Sequence, residues 1–247
     1  MGAVGNSKTE TYYDFKDNPI LNDNPYGSSD EAVKWWRDHD DFSNAKDWED
    51  NLLTSTEADA IEAWVGSGYE DMSELYETPW DDMDSDAKFM ATQMFNAINK
   101  FELKKGITVN RGTNFKIFGS NNKMTVEQVQ NYLNNETDHG HIQSDGFMSF
   151  STRTSGVPVA GSGLVIHLNV PPNKGGGAYI SNSIGGNKGE REYLLNNNSI
   201  MKFDPKSVEL KGDGRIHVNA KLVGRGAMQT IDEKNTSKYK KELNPKF

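Results

Sequence analysis

Gly106 divides the chain into two differently patterned halves. Before it, apolar residues recur at helical spacing; after it come short alternating or apolar segments at 107–111, 145–151, 163–169, 177–181, 190–195, 199–203, 206–211 and 215–223. Pro171-Pro172-Asn173 and Gly185-Gly186-Asn187 punctuate this run and forbid long uninterrupted strands. Helices first and strands afterwards specify an α+β fold, with N-terminal helices packed on a two-sheet β-sandwich core. No internal repeat or low-complexity tract argues for another plan.

Local signals place the helices. Ser29 and Asp30 would cap a helix over Glu31–Arg37 that turns Trp35 and Trp36 inward. Thr54 with Glu57 forms a capping box for a helix through Ala58–Val65, which Gly66 would end in a left-handed conformation. Tyr69–Glu77 and Ser85–Phe101 read as further helices, the second through Phe89, Met90, Met94, Phe95, Ile98 and Phe101. Thr125 and Gln128 open one helix, Thr125–Leu133, within the strand-rich half. The expected organisation is an N-terminal arm over 1–28, one domain over 29–230 (helical 29–105, β-rich 106–230) and a lysine-rich tail over 231–247.

Composition closes off several function classes. With 34% hydrophobic residues and no apolar run near the ~20 residues that span a bilayer, the chain does not read as a membrane protein. Met1–Asn24 has neither a basic start nor an apolar centre, so no secretory signal is expected there. Zero cysteines exclude disulfides, thiolate-bound zinc and a thiol nucleophile. A net charge of -9 argues against direct nucleic-acid binding. Acids concentrate between Asp30 and Asp86, either as solvated helix faces or as a surface that steers basic target proteins.

The chemistry-bearing residues lie in the strands. Glu190-Arg191-Glu192 enters an apolar strand, and residues two apart in a strand share a face. Two such carboxylates disfavour each other's charge, which lets environment divide acid, base and charge-stabilising roles between them. Upstream, Ile107–Thr113 carries Arg111 followed by Gly112, and Gly146–Thr152 carries Ser149 and Ser151 behind Phe147.

An arginine, then a strand serine, then Glu-x-Glu resembles the arginine-serine-glutamate arrangement of mono-ADP-ribosyltransferases, in particular the bacterial exotoxin and phage branch. The resemblance covers about residues 55–225. It implies a fold of that family's type and a glycosyl transfer that uses NAD as co-substrate, without a metal. ADP-ribose would pass to a protein side chain and nicotinamide would leave. Arg111 would clamp the pyrophosphate, with Gly112 letting the backbone approach. Glu192 would oppose the positive charge developing on the ribose, held there by Ser149, with Ser151 also at the cofactor. Glu190 would face the acceptor, and Glu-x-Glu resembles the arginine-modifying members. Tyr69 resembles a helix tyrosine lining the cofactor cleft. The partner implied is a target protein carrying an acceptor arginine, met in a target-cell cytoplasm.

The serine segment departs from the family's usual Ser-Thr-Ser. Aligning on Phe147 places the serines at Ser149 and Ser151 with Phe150 between; a shifted alignment would use Ser151-Thr152 with Arg153. The loop 181–189 holds no aromatic residue, so target choice is not legible there. His139-Gly140-His141 reads as a polar loop and not a metal site, since two rings need a third ligand and a rigid frame. Two other readings stand beside the transferase: an NAD glycohydrolase, in which water replaces the acceptor, and a non-catalytic β-sandwich binding module.

Overall fold

The computed structural model describes residues 11–12, 45–66, 82–104, 106–144, 146–152, 163–180 and 192–226. The expected helices over Glu31–Arg37 and Tyr69–Glu77 lie outside the described residues, as does the expected tail. Three α-helices are described: α1 Ser55–Val65, α2 Ser85–Lys100 and α3 Val126–Asn135.

The capping signals act as read. Thr54 Oγ1 accepts from Glu57 N at 3.3 Å while Glu57 Oε2 accepts from Thr54 N at 2.7 Å, and Thr125 and Gln128 repeat this at α3. Glu57 also receives Lys100 Nζ at 2.6 Å, tying the start of α1 to the end of α2. Gly66 departs from expectation. Its φ of -86° is not left-handed; its N–H still bonds Glu62 O at 2.9 Å, and a Cβ there would stand 3.3 Å from that oxygen. The glycine accommodates a close approach to the helix end.

In α2, Phe89, Met94 and Ile98 are buried, whereas Met90 and Phe95 lie at the margin, where the Arg225 guanidinium sits 5.0 Å above the Phe95 ring. A π turn, Trp48–Leu52, is pinned on this layer: Trp48 donates to Ala97 O at 2.8 Å and meets Phe101 edge-on at 5.5 Å.

Twelve strands lie among the described residues: β1 Thr11–Tyr12, β2 Glu102–Leu103, β3 Ile107–Thr113, β4 His141–Gln143, β5 Met148–Ser151, β6 Leu164–Val170, β7 Asn173–Lys174, β8 Gly177–Tyr179, β9 Glu192–Leu195, β10 Ser199–Phe203, β11 Glu209–Leu210 and β12 Ile216–Arg225. The main ladder runs β4-β10-β12-β6-β3-β5-β9-β8, with β1 and β11 added on β12 and β2 paired with β7 apart. Only β12 and β6 pair in parallel; every other described pairing is antiparallel. β3 pairs β6 along all seven residues but meets β5 at one position, Asn110 opposite Ser151. The ladder is thus two sheets hinged at that pair, and the α+β architecture is the one expected.

Two local readings need correction. Residues 206–211 do not form one strand: Pro205–Ser207 is a 3-10 turn, with the Asp204 carboxylate accepting from Lys206 N at 3.0 Å, and only Glu209–Leu210 pairs with β12. Proline lacks the donor a ladder needs. The segment at His139–His141 is not all loop. Gly140, with φ of 82° and Phe203 O 2.5 Å from where a Cβ would be, lets the chain pass tightly against β10, so His141 begins an edge strand. Glycine alone tolerates both conditions.

Candidate active site

A polar row crosses the hinge between the two sheets. His167 on β6 stands opposite Asn110 on β3, Asn110 opposite Ser151 on β5, and Ser151 opposite Glu192 on β9. Residues directly opposite in antiparallel strands project from the same face. Asn110, Ser151 and Glu192 are buried, Glu192 to 8% exposure, and apolar Leu194 shares their face, while their chain neighbours Val109, Phe150 and Tyr193 fill the opposite one. Burying polar groups side by side costs free energy unless they find partners, and here Asn110 meets His167 while Glu192 accepts from Trp64.

Ser149 lies on the same face as Ser151 but opposite Leu194, one diagonal step from Glu192. The register therefore gives Glu192 to Ser151 as direct neighbour, where the sequence suggested Ser149. Ser149 is half-buried, and its carbonyl has a different partner: Arg111 Nη1 donates to it at 2.6 Å. Arg111, itself half-buried, thereby bridges β3 to β5 next to the one pair that joins them, committing one of a guanidinium's five donors to the scaffold. Gly112 follows, buried and opposite Val165. Tyr69 and Glu190 lie outside the described residues.

From the helical side, Trp64 completes the arrangement. Its Nε1 donates to Glu192 Oε1 at 3.0 Å, across 128 residues of sequence. The indole is buried in the last turn of α1, with its ring edge-on to Phe147 at 6.1 Å. Sequence reading passed over Trp64, because a tryptophan three residues after Ile61 looks like ordinary core; a weak sign was that its N–H needs a partner once buried.

Behind the row, His167 and His217 stack at 5.0 Å between centroids, with His167 Nε2 and His217 Nδ1 2.8 Å apart. His217 Nε2 lies 3.1 Å from the Asp213 carboxylate, and His167 Nδ1 lies 2.5 Å from Asn110 Oδ1. The three contacts run in series from Asp213 through His217 and His167 to Asn110. Burial, then the neighbouring His217 charge, pushes His167 down from 6.5 to about 4. Asp213 is held well below the usual carboxylate range, first by the Arg215 backbone N–H.

Residues 38–225 match the family model of the ADP-ribosyltransferase exoenzymes. The fold is similar to that of Plx2a, an ADP-ribosyltransferase toxin from Paenibacillus larvae, with a TM-score of 0.63 and 22% identity over 78% of this chain and 95% of that one. It is similar as well to an ADP-ribosyltransferase from Clostridium botulinum, with a TM-score of 0.60 and 16% identity over 80% of this chain and 96% of that one. The ADP-ribosylating toxin BECa of C. perfringens, solved with NADH, gives a TM-score of 0.60 and 22% identity over 78% of this chain and 48% of that one. No curated protein matches the sequence.

Proposed function

Because this chain belongs to the ADP-ribosyltransferase exoenzyme family, we propose that it transfers ADP-ribose from NAD to a protein side chain, arginine by preference, and releases nicotinamide. The observation that carries this reading is the buried Glu192 carboxylate, in register with Ser151, which pairs in turn with Asn110, the residue before Arg111, at the junction of the two sheets. That set suits NAD: a cation for the pyrophosphate, a hydroxyl and a carboxylate for the ribose.

Glu192 opposes the positive charge that grows on the ribose as its bond to nicotinamide lengthens. One preorganised group of this kind contributes about 3–4 kcal/mol in a water-poor site. Ser151 fixes the carboxylate from the neighbouring strand, and Arg111 orients the substrate through its diphosphate. Arginine as acceptor rests on Glu190. A guanidinium is protonated at neutral pH, so an acceptor two residues before Glu192 orients it and takes its proton during attack. The chain then acts as an effector on a target protein.

Incubation with labelled NAD and a cell lysate tests the reading. The expected outcome is nicotinamide release together with label on protein, both lost in Glu192→Ala with the fold intact. Release without incorporation would assign an NAD glycohydrolase. Neither binding nor consumption of NAD would leave a β-sandwich binding module.

A further inference from the structure

Trp64 touches Glu192 from the helical layer, and we propose that it is a positioning residue, its indole N–H holding the Glu192 carboxylate in one orientation for the reaction. This rests on the reading of Glu192 given above.

The geometry is built and not incidental. The ring is 7% exposed, held by the last turn of α1 and by the edge of Phe147, itself 0% exposed, so Nε1 has little freedom to point elsewhere. α1 is anchored at its other end by the Thr54–Glu57 box and the Glu57–Lys100 contact. The donor's position therefore follows from the packing of a whole helix on α2.

The chemistry is equally directed. An indole N–H donates and cannot accept. It serves a carboxylate oxygen, and a hydrogen bond to the charged form favours that form. Fixing Oε1 also sets the plane of the carboxylate. A glutamate whose charge must meet a ribose at one point gains from both effects, since preorganised charge costs no reorganisation during reaction. Ser151 stands beside Glu192 on the sheet side, and Trp64 donates to it from the helix side.

The test uses the full chain with Trp64→Phe, which keeps an aromatic ring, and with 3-benzothienylalanine at position 64, which keeps the indole's shape but has no donor. Nicotinamide release is followed against NAD concentration and pH, beside Glu192→Ala, with urea midpoints to check folding. We expect kcat to fall about 10- to 100-fold in both variants, the range for a hydrogen bond to a charged group, with KM for NAD little changed. The acid limb of the pH profile moves upward, because losing the donor favours the protonated carboxyl. Wild-type kcat and profile in both variants, with Glu192→Ala inactive, would overturn the inference and leave the proposed function standing. A lower kcat with an unmoved profile would reduce Trp64 to packing and overturn it too. An active Glu192→Ala would remove the reading of Glu192 and this inference with it.

Discussion

Ser151 and Glu192 face each other across β5 and β9, 41 positions apart in the chain and adjacent in the ladder. That pairing makes a differential prediction. Ser151→Ala should slow nicotinamide release about 10-fold, the worth of one hydrogen bond to a charged group, and Ser149→Ala should slow it less. Single-site rates at saturating NAD measure this. Equal losses, or a larger loss at Ser149, would give the carboxylate to the diagonal hydroxyl.

Arg111 has two tasks that substitution separates. Arg111→Ala should weaken NAD binding and lower stability by roughly 1–2 kcal/mol, since the Ser149 carbonyl loses its 2.6 Å donor. Arg111→Lys should recover part of the stability, because an ammonium can reach a carbonyl. It should recover little affinity, because an ammonium cannot form the two-pronged bond to phosphate. Urea midpoints and NAD titrations on the two variants decide it; unchanged affinity in Arg111→Ala would leave the residue a strut.

The fold was legible where a local rule governs. Thr54–Glu57 and Thr125–Gln128 marked helix starts because a cap is satisfied within four residues. The strand over Ser199–Phe203 showed in its alternation and its flanking asparagines. What the sequence could not show is register. Nothing in Gly146–Thr152 says whether Ser149 or Ser151 meets Glu192, since a slip of two residues keeps every side chain on its face. The Trp64 bond and the His167–His217 stack join residues 128 and 50 positions apart, so only packing brings them together. Pro205 is the opposite case, a local breaker present in the sequence that outweighs the apolar residues after it.

The histidine pair predicts a pH-dependent stability. Folded His167 titrates at about 4, against 6.5 when unfolded, because burial and then the electrostatic influence of the adjacent His217 oppose a second proton. Lys211 and Arg215 push the same way and Glu209 against it. Between these values the unfolded chain binds the extra proton and the folded one does not. Stability on this account is full above pH 6.5 and is lost as pH falls toward 4. Partial exposure to solvent reduces the linkage to about 2 kcal/mol. Urea midpoints from pH 7 to 4 should fall less steeply in His167→Gln than in the parent chain. Parallel slopes would place the acid sensitivity elsewhere.

Glu190 separates the transferase from the hydrolase. If it prepares the acceptor and does little for the ribose, Glu190→Gln should cut protein modification sharply, at least about 10-fold, and spare NAD hydrolysis. Glutamine keeps the length and an acceptor oxygen of glutamate. It lacks the charge that pairs with a guanidinium and the basicity that takes its proton. Water attacking an electron-poor ribose needs less of that help, so the hydrolytic branch persists while Glu192 remains. Nicotinamide release is measured beside ADP-ribose incorporation, and the protein adduct is treated with neutral hydroxylamine, which labilises arginine linkages. Equal loss of both activities would merge the roles of Glu190 and Glu192. A hydroxylamine-stable adduct would remove arginine as the acceptor while leaving the transfer itself in place.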